Sequence, residues 1–125
     1  MTEAERQTGG RGRGTNRWWS ADGALTFSLV LDAPPDRLPP PRWPLVALIA
    51  GLAVAEALQP LCPPGLLQVK WPNDVYVNGG KLCGILSESV PGAGDRLVVG
   101  IGVNVNNEVP AAADLAHTAR ALIDV

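Results

Sequence analysis

The residue types with the clearest chemical potential alternate near the start of the chain, in the run Gly9-Gly10-Arg11-Gly12-Arg13-Gly14. Glycine lets backbone N–H groups approach a ligand closely, and each guanidinium offers forked donors to a carboxylate or phosphate. The run therefore predicts an anion clamp on a flexible loop, while a solvated basic tail of the RGG type would share its composition. The pair Trp18-Trp19 favours the clamp, because neighbouring indoles are unusual in a disordered tail and can stack on a purine.

Polar and small residues at predicted strand ends form further candidate sites. A proline fixes the backbone before Asn73 and Asp74, so their side chains are presented where a strand ends. Lys81 follows a predicted turn, and Gly84 leaves room where a side chain would otherwise fill a pocket. Asn104 ends a glycine-containing strand. Each has a plainer explanation, namely an Asx turn, a solvated turn lysine or a strand-end turn.

Composition and charge exclude several functional classes. With 125 residues, 46% of them hydrophobic and 18% charged, the chain is expected to form one packed domain. Its net charge of -2 argues against general nucleic-acid binding. Cys62 and Cys83 lack CxxC spacing, which favours a reducing, cytoplasmic location. The apolar run 45–58 is too short for a membrane span and contains Glu56, so no membrane partner is expected.

The titratable residues favour an anion-neutralising mechanism. The sequence has one histidine, His117, so no Ser-His-Asp or Cys-His arrangement is predicted. The acidic, histidine and cysteine residues have no metal-ligand spacing, and no metal-binding residue is predicted. The remaining option is chemistry in which fixed cations stabilise negative charge.

Alternation and turn signals predict an α+β fold whose sheet is mixed and largely antiparallel. Strands are expected at 25–31, 67–71, 75–77, 81–87 and 97–105. Hairpin turns are expected at 78–80 and 91–95, where glycines supply positive φ angles. A helix bounded by prolines is predicted over 45–59 and should pack against the sheet. A short tail helix is predicted over 111–123.

Taken together and in order, these motifs resemble biotin–protein ligase over residues 4 to 107. The matching segments are Gln7, Gly10-Arg11-Gly12-Arg13, Trp18, Lys70-Trp71-Pro72-Asn73-Asp74, Gly80-Lys81-Leu82-Cys83-Gly84-Ile85-Leu86 and Gly102-Val103-Asn104. The resemblance implies the α/β catalytic fold of biotin and lipoate ligases, similar to class II aminoacyl-tRNA synthetases, with helices packed on a mixed sheet. It also implies that residues 1–125 are a truncated catalytic domain without the family's upstream strand and biotin-contacting turn, C-terminal β-domain or DNA-binding domain.

The resemblance also implies roles for individual residues. Arg13 and Lys81 would be catalytic. The implied biotin-binding residues are Gln7, Gly10, Arg11, Arg13, Lys81 and Gly84. The implied ATP- or adenylate-binding residues are Trp18, Asn73, Asp74 and Asn104, with the Trp18 ring on the adenine.

By resemblance, the chain would activate biotin with ATP and Mg²⁺ and transfer it to a lysine of a biotin carboxyl carrier protein, that of acetyl-CoA carboxylase or a related carboxylase. Exposed sheet edges in a truncated domain would favour self-association, for example as a homodimer. Three alternatives stay open. They are a fragment that binds biotin or nucleotide without turnover, a lipoate-type ligase, which the Gly-Arg-Gly-Arg run disfavours, and an RGG-type RNA module, which the negative net charge disfavours.

Overall fold

The fold is built on one six-stranded sheet, described for residues 1–109 and 119–125 in a computed structural model. The strands are β1 (Thr2–Ala4), β2 (Ala24–Asp32), β3 (Leu67–Lys70), β4 (Asp74–Val77), β5 (Gly80–Ser89) and β6 (Arg96–Asn104). Their order is β1-β2-β6-β5-β4-β3, and every neighbouring pair is antiparallel. The predicted α+β class is confirmed. Within the described ranges, the one parallel pairing is an isolated bridge between Lys81 and Ala119.

One α-helix, α1 (Pro44–Leu58), covers one face of the sheet. A proline suits its first turn, because the N–H groups there have no partner within the helix. Val46, Ala47 and Gly51 are buried against β3, β4 and β5. The helix lies close to β5 at Gly51, where a Cβ would be in ordinary van der Waals contact, 3.5 Å from Ile85 Cδ1. The predicted helix and its packing on the sheet are confirmed.

The outer face of α1 is also apolar. Leu45, Ile49 and Leu52 on this face are 50%, 63% and 50% exposed. Together with its flanking 3-10 turns, the helical run Pro40–Leu61 is long and apolar enough to span a membrane by length and composition alone. Packing on three strands favours a core helix. The absence of a membrane partner stays a prediction.

The core lies between α1 and the helix-facing side of the sheet. Its largest fully buried side chains are Leu82, Ile85, Leu97, Val75, Val77, Val99 and Cys83. Burial, together with the nearby Asp74 carboxylate and against an opposing effect of Lys81, raises the pKa of the Cys83 thiol to about 12. Because α1 covers only this side, the opposite face of β2, β5 and β6 is left for a ligand.

Both predicted hairpin turns are present. Asn78 and Gly79 join β4 to β5 with φ angles of 47 and 78 degrees, the left-handed pair that a two-residue hairpin turn requires. Gly92 and Gly94 also have positive φ in the longer turn between β5 and β6. These turns align the motifs of β4, β5 and β6 side by side.

Only the end of the predicted tail helix can be compared with the structure. Residues 110–118, which include most of the predicted helix and His117, lie outside the described residues. After them, Arg120 N donates a hydrogen bond of 2.9 Å to the backbone oxygen of Lys81, and Leu122–Asp124 forms a single 3-10 turn. Within residues 119–123, the described part of the predicted helix, the chain pairs with β5 and then forms this 3-10 turn.

Candidate functional site

The sheet face opposite α1 carries a floor of glycines. Gly84 on β5 lies opposite Gly102 on β6, and Gly100 lies two residues earlier on the same face. Thr26 and Ser28 of β2 lie opposite these two β6 glycines on the other side. Because three neighbouring positions have no side chain, a planar group can lie directly on the backbone.

A bulge in β5 brings Lys81 to the same face as Gly84. Regular alternation would place residues three apart on opposite faces of a strand. The pairing with β4 shifts by one residue here, and Leu82 and Cys83, although adjacent, are both fully buried on the core side. Lys81 Cε therefore lies 3.3 Å from the position that a Cβ on Gly84 would take.

A carboxylate on the neighbouring strand holds the Lys81 side chain. Lys81 Nζ lies 2.8 Å from Asp74 Oδ1, and the two side chains are 31% and 19% exposed. Their angles do not suit a hydrogen bond, so this buried oxygen has no hydrogen-bond partner among the described residues. The ion pair fixes the ammonium group at the edge of the glycine floor, where it can still meet a ligand.

The Trp18 ring lies flat on the glycine floor. A Cβ on Gly84 would come within 3.1 Å of Trp18 Cζ3, and a Cβ on Gly102 would overlap the ring itself. Lys81 Nζ lies 5.9 Å from the ring centroid. The indole Nε1 is buried and has no hydrogen-bond partner in the described part of the chain. The ring is only partly buried, so its outer face can take part in stacking, and its predicted contact with a purine stays a prediction.

The Gly/Arg loop (residues 7–18) is folded as a small hairpin over this floor. Gly12 N donates to Asn16 O at 2.8 Å, and Trp18 N donates to Gly10 O at 3.0 Å. Gly14 at the tip has a φ of 66 degrees, a conformation that favours glycine. Local pairing thus gives the expected irregular loop a defined shape.

The hairpin and the floor enclose a cavity of 440 Å³ with an excess of positive charge. Its charged lining residues are Arg11, Arg13, Arg17, Lys81, Asp74 and Glu88. Arg11 Nη2 lies 2.6 Å from Glu88 Oε2, and Asp74 is paired with Lys81. Across residues 1–109 and 119–125, Arg13 and Arg17 have no ion-pair partner. The cavity is therefore suited to a ligand with negative charge.

The cavity brings together most of the predicted site residues. Those that line it are Gln7, Gly10, Arg11, Arg13, Trp18, Asn73, Asp74, Lys81 and Gly84. Asn73 Nδ2 donates to Ile85 O at 2.8 Å, so its amide also joins β5 to the turn between β3 and β4. Asp74 contacts Lys81, and its predicted role on the nucleotide side stays a prediction.

Asn104 does not line the cavity. It is 5% exposed, its Oδ1 accepts a hydrogen bond of 3.1 Å from Asn107 Nδ2, and its Nδ2 lies 3.5 Å from Lys81 O. In this arrangement Asn104 supports the backbone of Lys81. Its predicted contact with a nucleotide stays a prediction.

Several lining residues were not predicted as site residues. Among them are Arg17, Thr26, Ser28, Glu88, Gly100 and Gly102. Thr26 and Ser28 could have been found, because they are the polar positions that alternate within an otherwise apolar strand. No local sequence pattern marks Glu88 as a site residue, because its partner Arg11 is 77 residues away in the sequence.

Fold and site define an α+β ligand-binding domain in which cations from a glycine-rich hairpin and from a strand face one cavity. The chain belongs to the Biotin/lipoate A/B protein ligase family, whose model matches residues 2–106. It is 42% identical over 110 residues to biotin--protein ligase 2 of Arabidopsis thaliana, and 42% identical over 104 residues to the biotin--[acetyl-CoA-carboxylase] ligase of Mycobacterium tuberculosis. These alignments include 83% and 82% of this chain.

Solved structures give the same result. The biotin protein ligase from Aquifex aeolicus in complex with biotin and ATP superposes with a TM-score of 0.82 at 39% identity, over 98% of this chain. The Leishmania major enzyme in complex with biotin superposes with a TM-score of 0.79 at 29% identity. The chain spans 49% and 52% of these two structures, and 32% and 38% of the Arabidopsis and Mycobacterium relatives.

Proposed function

We propose that this chain is the central part of a biotin–protein ligase catalytic domain, which forms biotinyl-5'-AMP from biotin and ATP and transfers biotin to a lysine. The observation that carries the proposal is the arrangement of Lys81, Arg13 and the Trp18 ring around one glycine-floored cavity. The family membership of the chain and the biotin and ATP in the Aquifex structure support these substrates.

The charges of the cavity suit the first step. A carboxylate oxygen of biotin attacks the α-phosphorus of ATP, and pyrophosphate leaves. Two anions must approach each other, and fixed cations lower the cost most where charge accumulates in the transition state. Lys81 from β5 and Arg13 from the hairpin are the proposed sources of that charge, while the outer face of Trp18 receives the adenine ring.

The hairpin suits the second step. The mixed anhydride would hydrolyse readily in water, and a loop folded over the floor limits access of solvent. A lysine amine of the acceptor then attacks the biotinyl carbonyl, and AMP leaves. The name of the Mycobacterium relative supports a biotin carboxyl carrier protein of acetyl-CoA carboxylase, or of a related carboxylase, as the acceptor.

Mg²⁺ enters this proposal as the counter-ion of the ATP phosphates. Both carboxylates that line the cavity are ion-paired, and no group of three or more His, Cys, Asp or Glu side chains in the described ranges could hold a metal. The contribution proposed for this chain's own residues is the positive charge of Arg13 and Lys81.

The test is to mix the chain with biotin, MgATP and a biotin carboxyl carrier domain and to measure pyrophosphate release and biotinylated carrier. A full-length biotin–protein ligase serves as the positive control. The proposal predicts both products. A second candidate function, binding without turnover, is favoured by the fact that the chain spans about half of its solved relatives. Calorimetric binding of an adenylate analogue without pyrophosphate release would select that candidate.

A further inference from the structure

We infer that Glu88 is a positioning residue that holds the Gly/Arg loop over the cavity through its ion pair with Arg11. Arg11 Nη2 and Glu88 Oε2 are 2.6 Å apart, and the pair joins the hairpin to β5. Glu88 lies on the same face of β5 as Gly84, the face towards the cavity, and borders the cavity.

The position of Glu88 makes this contact an effective anchor. The Trp18 end of the hairpin rests on Gly84, and Glu88 lies four residues further along β5, about 13 Å away at the usual rise of a strand. The hairpin is therefore attached at two separated points of the same strand. Loss of the Glu88 contact would leave only the Trp18 end in place.

The pair also separates the roles of the loop arginines. With Arg11 engaged by Glu88, the cations left for an incoming anion are Arg13 and Arg17, besides Lys81. Arg11 is 73% exposed and Glu88 42% exposed, so water and salt screen their attraction. Such a contact is strong enough to bias the loop and weak enough to release it.

The test is limited trypsin digestion of the ligand-free chain, because a protease must open the hairpin to cut after Arg13 or Arg17. Glu88→Gln keeps the shape of the side chain and removes its charge. We expect cleavage at these two sites to become about two- to fivefold faster, the range that an exposed ion pair allows. The matched control is Asp32→Asn, which breaks the exposed Asp32–Arg96 pair at a distance of 3.4 Å on β2 and β6, outside the cavity.

Salt provides a second readout that does not depend on a variant. Raising the ionic strength should accelerate cleavage of the wild-type loop and leave the Glu88→Gln loop nearly unchanged, because only the former contains the screened pair. Equal cleavage of wild type and Glu88→Gln, an equal acceleration by Asp32→Asn, or no difference in salt dependence would overturn the inference. That the anchor prolongs the retention of an adenylate rests on the proposed function, but the digestion uses no biotin and tests the anchor alone.

Discussion

The indole ring of Trp18 lies on the backbone of Gly102, on the side of the sheet that faces the cavity. A side chain at position 102 would occupy the space of the ring. A Cβ at position 100 would have ordinary contacts, 3.7 Å from Leu86 O and 3.8 Å from Ser28 Oγ. The two glycines are on the same strand and the same face, so they provide a controlled comparison. Of these two β6 glycines, Gly102 is required for the position of Trp18 and Gly100 is not.

We therefore predict that Gly102→Ala displaces Trp18 and that Gly100→Ala does not. The first change should lower the free energy of unfolding by about 1–3 kcal/mol, as overpacking commonly does. It should also shift the tryptophan emission towards that of exposed indole. Gly100→Ala should remain close to wild type in both measurements. Identical emission spectra and unfolding curves for the two variants would show that the ring does not depend on the glycine floor.

We predict that Lys81→Ala and Arg13→Ala each lower the rate of adenylate formation by about 100- to 1000-fold, the usual effect of removing one preorganised donor. Arg13→Ala should change stability by less than about 1 kcal/mol, because Arg13 is exposed. Lys81→Ala should cost about 1–3 kcal/mol, because it leaves the buried Asp74 Oδ1 without its cation. Biotin-dependent pyrophosphate release and thermal unfolding measure the two effects. Unchanged rates in both variants would remove the proposed catalytic roles.

Asp74→Asn should separate the positioning of Lys81 from its charge. The change keeps the size of the side chain but removes the attraction that holds Nζ at 2.8 Å. We expect kcat to fall about tenfold while KM for biotin changes less than threefold, since a misplaced group costs more in the transition state than in the ground state. A large rise in KM at constant kcat would instead indicate that Asp74 contacts a substrate directly.

The Cys83 thiol should make the protein sensitive to alkali. Its pKa is raised from 9.0 to about 12 by burial, so the folded state retains the proton after the unfolded state has lost it. Stability from this group is complete below pH 9 and declines between pH 9 and 12, by about 1.4 kcal/mol per pH unit. Cys83→Ala should show a shallower decline in urea unfolding between pH 9 and 10.5. Parallel curves for the two proteins would contradict this account.

Much of the fold could be predicted because its signals are local. The Asn78-Gly79 turn and the apolar helix between prolines each depend on neighbouring residues, and both are present. β1 could not be predicted, because three residues at a sheet edge show no periodicity. The pairing of Arg120 with Lys81 likewise depends on tertiary contact and not on propensity.

The site was predictable only in part, and the bulge in β5 shows why. Alternation alone places Lys81 and Gly84 on opposite faces, and it was family resemblance that assigned both to one site. The available signal was the adjacent apolar pair Leu82-Cys83, which interrupts the alternation. The Arg11–Glu88 contact joins distant segments, and a single sequence contains no local pattern for it.

Cations from the hairpin and from β5 are proposed to face one ligand. The most direct measurement is calorimetric titration of this chain with a non-hydrolysable biotinyl-5'-adenylate analogue. The matched control is Lys70→Ala, because Lys70 contacts the Tyr76 ring at 4.7 Å and does not line the cavity. We predict binding to wild type and to Lys70→Ala, and an affinity at least about tenfold lower for Lys81→Ala and Arg13→Ala, in keeping with lost charge-assisted hydrogen bonds. Equal affinities for all four proteins, or no binding to wild type, would contradict the account.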